Sequence, residues 1–487
     1  MKNKVLSNSI IYTICGLLLK CFSFFLIPLY TRYLTTNDYG ITSITNSFIA
    51  TMSIFLVFSL FSAVLRFYVD LRENPEKLRR FYGTIVSFVF ISGAVFFLIF
   101  FLIRDFLSEH IFSGIEFYPI IFISIISLIF YCQHSVYENI LKSQQKALKY
   151  SLTAIAYFFI NLFLNILFVV VLKKGAVGVI IATMLANIMY TIYFIVDLAC
   201  NKAIRFCLDW ALLKDALKYS IPIMPHDLST KIATLVSNIL IGGNFSFSVL
   251  GIYSIASQFG NIVDTVQVYI NNAYGPWLYE KLHDKTSGYK KDINKTIKLL
   301  SDVIGLFLLG VALFAQDYIV LFLDKSYADA WKYVPAVVMV FAIKIPYYFY
   351  VNILFYYKEA SRLLFIATFS GSVLNIFLSF LLIPEVGVFG SILADAVAMV
   401  IRVMIIIFIS RKYENTGICI NIFFRNFIKI ALFIFCGLVF SYWKFSNSFN
   451  ILNFVYKILI VGFYLTILYL QNKKEFVGFK KLLKLKK

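Results

Sequence analysis

Apolar runs of about twenty residues, the length a helix needs to cross the ~30 Å hydrocarbon core of a bilayer, recur from one end of the chain to the other. Short polar stretches separate them. The runs do not alternate with period two, which excludes a transmembrane β-barrel and leaves helices as the way to satisfy backbone groups in lipid. The pattern predicts spans near 9–31, 41–69, 82–103, 117–137, 151–172, 176–198, 220–242, 248–274, 298–321, 333–357, 362–383, 387–410, 425–442 and 451–471. The expected fold is an all-α polytopic membrane protein with about fourteen transmembrane helices. The second run is long enough to tilt or to begin as an interfacial segment. Pro28 is placed to bend the first span near its outer end. Pro222 and Pro225 open the seventh, where they predict a hinge near the inner mouth.

The polar stretches differ in charge. With the N-terminus inside, the inner loops and termini hold about thirty-one Lys and Arg, against seven outside: Arg32, Arg104, Lys173, Lys174, Lys325, Lys332 and Lys444. Retention of positive charge on the inner side then places both termini in the cytoplasm of a bacterial plasma membrane. The net charge of +20 is a topological signal and not a nucleic-acid footprint. All four Trp residues, Trp210, Trp277, Trp331 and Trp443, fall near span ends, as an interfacial belt requires. With 61% of the 487 residues hydrophobic and 14% charged, no stretch fits a soluble domain. The longest polar segment, near 276–297, is expected to be a basic cytoplasmic connector. The tail Glu475–Lys487 is expected to anchor on anionic membrane lipid. Met1–Lys4 leads into the first run without a small-residue cleavage site, which predicts an uncleaved span. Cys15, Cys21, Cys132 and Cys436 sit within apolar runs, and the seven cysteines show neither a disulfide framework nor metal-ligand spacing.

An internal repeat organises the spans. Ser9 and Ser220 each open a span, and Gly40 and Gly251 each precede the next, both pairs displaced by 211 residues. Tyr137-x-Asn139-Ile140-Leu141 recurs at Tyr350-x-Asn352-Ile353-Leu354. Leu164-Asn165-Ile166 recurs at Leu374-Asn375-Ile376, and Gly175-x-x-Gly178-x-x-x-Ala182 at Gly387-x-x-Gly390-x-x-x-Ala394. Six spans per copy is an even number, so both copies enter the membrane in the same direction, as two parallel transporter halves do. The expected organisation is an N-lobe over 1–200 (spans 1–6) and a C-lobe over 201–412 (spans 7–12). Residues 413–487 then hold spans 13–14 and the basic cytoplasmic tail.

Ionisable groups within spans cost about 2.5–3.5 kcal/mol for Lys on insertion scales and need a partner or a wet cavity. Lys20 and Lys231 lie near the middle of spans 1 and 7, displaced by the same 211 residues. Two like charges at equivalent depths suit an anion of phosphate type. The competing reading is pairing, with Asp264 on span 8 and Asp395 on span 12 as candidate partners or coupling groups. Lys344 in span 10 is read as cavity-lining and Arg66 as a group at the cavity entrance that snorkels equally well. Arg402 is either a substrate contact or the partner of Asp395, seven residues earlier on one helix face. Asp302 is expected to be solvated, and His226, after Pro225, to be structural. No catalytic constellation, metal cluster or nucleotide loop (GxxxxGK[ST]) is present, so an enzyme or a direct ATP user is not expected.

The run Pro28-Leu-Tyr-Thr-Arg32-Tyr-Leu34-Thr-Thr-Asn-Asp38-Tyr39-Gly40 resembles the pattern between spans 1 and 2 of the polysaccharide-export branch of the multidrug/oligosaccharidyl-lipid/polysaccharide flippase superfamily. Ala273-Tyr-Gly-Pro276-Trp resembles a proline position of the same family. Two six-helix lobes plus two helices match its MATE-like architecture, over nearly the whole chain. The resemblance implies a flippase for undecaprenyl-diphosphate-linked oligosaccharide repeat units in O-antigen or capsule synthesis. It would work by alternating access, alongside polysaccharide polymerase partners, with no cofactor. H⁺ or Na⁺ exchange is left open. The rivals are a cation-coupled multidrug exporter, a lipid II flippase, a membrane-embedded polymerase or glycosyltransferase, and a scaffold. The lysine pair disfavours the first, and the short outer loops disfavour the enzyme.

Overall fold

The computed structural model describes residues 2–361 and 363–484. Arg362, and the side chains of residues 1–7, 9, 10, 230, 358, 361 and 474–487, the last of these including the expected tail Glu475–Lys487, lie outside the described residues. The described chain is helical throughout. In the first copy of the repeat run α1 (Lys2–Phe25), α2 (Ile27–Tyr33), α3 (Thr36–Val57), α4 (Leu60–Leu71), α5 (Pro75–Leu102), a short α6 (Arg104–Phe106), α7 (Phe122–Ser143), α8 (Ala147–Asn165) and α9 (Gly175–Cys200). An additional α10 (Trp210–Ser220) precedes the second copy. That copy comprises α11 (Met224–Asn244), α12 (Phe247–Asp284), α13 (Tyr289–Phe322), α14 (Val334–Tyr356), a short α15 (Lys358–Ser361), α16 (Leu364–Val386) and α17 (Val388–Tyr413). Helices α18 (Ile420–Trp443) and α19 (Ile451–Lys484) follow.

Twelve helices among the described residues are long and apolar enough to cross a membrane. The expected spans 220–242 and 248–274 are helical, as α11 and α12, but fall outside that set. They are too polar, carrying Asp227, Lys231 and Asn238 on one and Gln258, Asn261, Asp264, Gln267 and Asn271 on the other. Three further expectations need correction. The second span is not continuous: Phe58 and Ser59 take positive φ (53° and 54°) and break it into α3 and α4. The expected connector 276–297 is mostly helix, because α12 and α13 extend to within a four-residue turn of each other. Trp331 is no belt residue. It is fully buried, with its indole N–H donating to the Ser446 carbonyl at 2.8 Å.

The chain divides into two compact units, Met1–Gly251 with Ser379–Gly387, and Ile252–Leu378 with Val388–Lys487. In the first, α7 is central, packing on α3, α4, α5, α8 and α9. Its Ile125, Leu128, Cys132, Val136, Tyr137, Ile140 and Leu141 are buried at helical spacing. Helix α1 packs on α8, α10 lies on α4 and α5, and α11 packs along α3. The first compact unit therefore runs on to Gly251, because the first helix of the second copy packs on the first copy. In the second unit α14 packs on α13, α17 and α18, and α13 carries α18 and α19. Lipid tails are as apolar as Leu, so helices associate through close packing and polar contacts.

Helices α3 and α12 cross at their first turns in a reciprocal way. A Cβ on Gly40 would overlap the Phe247 carbonyl oxygen, and a Cβ on Gly251 would overlap that of Thr36. Each glycine thus meets the repeat equivalent of the residue that meets the other, the arrangement a two-fold axis imposes on an interface. The start of α3 is set by a capping box between Thr35 and Asp38. Asp38 also accepts the Ala176 backbone N–H at 3.0 Å, tying α3 to α9.

Candidate functional site

Helix α1 presents Asn8, Tyr12, Cys15 and Phe22 to α8: Asn8 and Cys15 reach the backbone at Gln145 and Ser151, and the two aromatics meet Tyr150 and Phe158. Lys20 is about 120° from that seam at 100° per residue and is exposed. On α11 the Thr51 hydroxyl donates to the Lys231 carbonyl at 3.2 Å, so α3 holds the backbone while the Lys231 side chain stays exposed. Asp227, one turn earlier, accepts a hydrogen bond from Ser59 at 2.8 Å. That bond joins α11 to the break between α3 and α4. Among the described residues neither Lys20 nor Lys231 has a carboxylate or hydrogen-bonding partner for its ammonium. Both belong to the first compact unit.

The other candidates are partnered. Asp264 binds Lys344 at 2.6 Å and accepts the Tyr348 hydroxyl at 2.8 Å, with the ammonium 5.0 Å from the Tyr348 ring centre. Asp264 is thus committed to Lys344 and not to Lys20 or Lys231. Asp395 accepts Asn375 at 2.7 Å, while Arg402 donates to Ser372 at 3.2 Å and keeps a buried Nε without a hydrogen-bond partner. The two share a face without an ion-pair contact within 4 Å. Gly371 makes room for the guanidinium, since a Cβ there would come within 3.0 Å of the Arg402 Nε. Arg66 pairs with Asp70 at 2.7 Å on the exposed side of α4. Pro222 falls in the turn between α10 and α11, and Pro225 in the first turn of α11, where proline fits without breaking a helix. His226 follows it, exposed.

Asp302 is not solvated. It is buried, bound to Lys429 of α18 at 2.7 Å and to Asn472 of α19 at 3.1 Å. Fifteen residues along α13, Asp317 binds the fully buried Lys457 of α19 at 2.7 Å, and Gln316 accepts from the same ammonium at 2.8 Å. Sequence reasoning passed over Lys429 and Lys457, although each interrupts an apolar run. The signal was a Lys at helical depth in α18 and α19 facing two acids on α13. At the end of α17, Glu414 accepts from Lys285 at 2.7 Å and Tyr357 at 2.6 Å. Burial pushes the Glu414 carboxyl up, but the bonds from Lys285, Tyr357 and Tyr289 outweigh it and hold the group below the usual Glu range.

Residues 29–332, more than half of the chain, match the family model described as "Polysaccharide biosynthesis protein". The chain belongs to this family. The glycine crossing and Lys231 fall within the matched region of this polysaccharide biosynthesis protein, whereas Lys20 and the second-copy markers from Tyr350 onward lie outside it. An uncharacterised membrane protein of Haemophilus influenzae is 25% identical over 374 residues, 75% of this chain and 87% of that protein. The fold is that of the MOP superfamily. A structure titled as the lipid II flippase MurJ in an inward closed conformation superposes with TM-score 0.69 at 16% identity, covering 95% of this chain and 99% of that one. An inward-facing multidrug resistance MATE family transporter of the superfamily superposes with TM-score 0.58 at 15% identity, over 82% of this chain and 94% of that one.

Proposed function

We propose that this polysaccharide biosynthesis protein is a flippase that moves undecaprenyl-diphosphate-linked oligosaccharide repeat units from the inner to the outer leaflet of a bacterial plasma membrane, for O-antigen or capsular polysaccharide. The observation that carries the reading is the pair Lys20 and Lys231, on the first helix of each repeat, both exposed and without a counter-charge among the described residues. An unpaired ammonium at membrane depth is tolerated where water or an anion reaches it. A diphosphate supplies that anion. Helices α11 and α12 then serve as the seventh and eighth of fourteen spans, their polarity suiting a wet path, with both termini cytoplasmic. The lobes 1–200 and 201–412 alternate access, and 413–487 form the appended pair. Arg66, Lys344 and Arg402 extend the basic lining, Asp264 and Asp395 are the coupling or pairing acids, and Pro222 and Pro225 flank the hinge. An inside-negative potential helps a headgroup of charge about −2 outward, by about 2.3 kcal/mol per charge per 100 mV.

The test is complementation of a strain lacking its own repeat-unit flippase but supplied with the cognate glycan. Wild type is compared with Lys20→Ala and Lys231→Ala at matched membrane levels. Surface polysaccharide restored by wild type and lost in both variants is the expected result. Equal output from all three removes the lysines from the mechanism, and no output from wild type overturns the flippase reading. Lipid II flipping is the second reading, favoured by the MurJ likeness extending over 95% of the chain. It is tested by rescue of a strain depleted of its lipid II flippase.

A further inference from the structure

His134 and Glu138 stand one turn apart on the face of α7 that meets α8 and α9, and the reading above uses neither. His134 is only 8% exposed. Its Nε2 lies 3.4 Å from one Glu138 oxygen, and Lys142, a further turn along, lies 3.4 Å from the other. The imidazole sits between Tyr157 of α8 and Tyr190 of α9, with ring centres 4.5 and 4.0 Å away. Its Nδ1 is buried and without a hydrogen-bond partner among the described residues.

Two of these features favour a charged ring, while burial opposes it. A carboxylate sits beside one nitrogen, and two tyrosine rings lie within cation–π distance. The neutral ring can still donate from Nε2 to Glu138, but that bond is weaker than the charge-assisted one, and Nδ1 has no partner among the described residues in either state. Histidine is also the side chain whose ordinary titration spans pH 5–8. We propose that His134 and Glu138 form a proton-binding site in the first repeat, and that its occupancy governs how α1 is held. The link to α1 is contiguous. Glu138 is shared between His134 and Lys142. The Lys142 ammonium lies 4.7 Å from the Tyr150 ring centre, and Tyr150 packs edge-on against Tyr12 of α1 at 5.3 Å. A proton on His134 draws Glu138 toward the imidazolium and frees Lys142. Two turns beyond Tyr12 on the same helix is Lys20.

The surroundings limit the alternatives. On α7, Tyr131 and Tyr137 flank the site. Tyr137 and Lys149 both bind Asp197, a closed neighbouring network. From α5, Tyr82 bonds Ser143 at the end of α7. On α4, Arg66 and Asp70 are paired with each other. Among the described residues, α3, α4 and α5 bring no ionisable group into ion-pair reach of His134 or Glu138. The site stands on this geometry; its use in transport rests on the flippase reading.

The chain has four histidines, so the test is direct. Full-length protein with isotope-labelled histidine, reconstituted in lipid, is titrated between pH 5 and 8 by NMR, with His134→Gln identifying the signal. The expected result is an imidazole that binds its proton about tenfold or more weakly in Glu138→Gln. A His134 ring that keeps one state across the range, or titrates unchanged in Glu138→Gln, overturns the proposal. Should His134→Gln not fold, the one histidine signal displaced by Glu138→Gln makes the assignment, and the absence of any displaced signal again overturns it. Cysteines at Asn8 and Gln145 report the second half: their cross-linking yield should change with pH and lose that dependence in His134→Gln. An unchanged dependence refutes the link to α1. A titrating His134 in a chain that fails complementation leaves the proton site standing and removes the flippase reading.

Discussion

Lys231 and Lys457 are both lysines set well inside long helices, and their surroundings are opposite. Lys457 of α19 is fully buried, with Asp317 and Gln316 of α13 on its ammonium, and Lys429 of α18 has Asp302 in the same way. Lys231 on α11 and Lys20 on α1 are exposed and have no acid partner among the described residues. The appended helices are therefore fastened by charges that cancel inside the protein, whereas the lysine on the first helix of each repeat has no acid to cancel it among the described residues. Depth in an apolar run marks an ionisable group as important in both places. Only the partner tells whether the importance is structural or directed at a ligand.

The strongest way to break this contrast is at Asp317. Asp317→Ala should strand the buried Lys457 ammonium and destabilise the appended pair by about 3–5 kcal/mol, read as a fall in thermal unfolding midpoint of the purified protein. Asp317→Leu with Lys457→Met should recover most of the loss. If the single variant unfolds like wild type, the pair is not a fastening. Next in size is the glycine crossing, which sets the backbone of α12 against that of α3. Gly251→Val should cost about 1–3 kcal/mol, because no side-chain movement relieves an overlap with the Thr36 carbonyl. Gly40→Val should cost about as much if the two-fold relation is real, and unequal losses would argue against it. At Lys20 and Lys231 the expected stability change on substitution by Ala is small, within about 0.5 kcal/mol, since no partner is lost. A large loss of stability there would reveal a structural role and undo the comparison.

The same contrast explains how far the sequence reached. Most helix positions were legible because twelve of the helices carry their own apolar signal, and the repeat was legible because Gly40 and Gly251 kept their order and spacing. The glycine overlap gives that spacing a physical cause. The break at Phe58–Ser59 was not legible, since neither residue favours positive φ; it is set by packing and by the bond from Ser59 to Asp227, 168 residues away. The Lys457–Asp317 pair spans 140 residues, so nothing local marks it. Lys20 and Lys231 stood out because both sit within spans and share the 211-residue offset of the repeat, which are features of the sequence itself. The His134 site was missed because its two tyrosine walls come from different helices.

Glu414 lies between the two extremes, a paired charge at the end of α17, beyond the spanning segment, and it gives the smallest and most graded test. Its carboxyl takes Lys285 and Tyr357, which hold its affinity for protons below that of an ordinary Glu, near 4.5. A carboxyl with a lowered folded value adds stability that is complete above the unfolded value and is lost as the pH falls through the folded one. Lys285 is half exposed, so its share is screened by solvent. The buried hydrogen bond from Tyr357 should contribute about 1 kcal/mol. Thermal unfolding of wild type and Glu414→Gln should therefore differ by a constant amount from pH 7 down to about 5. The gap should close below pH 4.5, and added salt should shrink only the Lys285 part. A gap that persists into acid would mean that Glu414 acts through shape and not charge, and would separate it from the Asp317 and Asp302 pairs, whose loss cannot be screened.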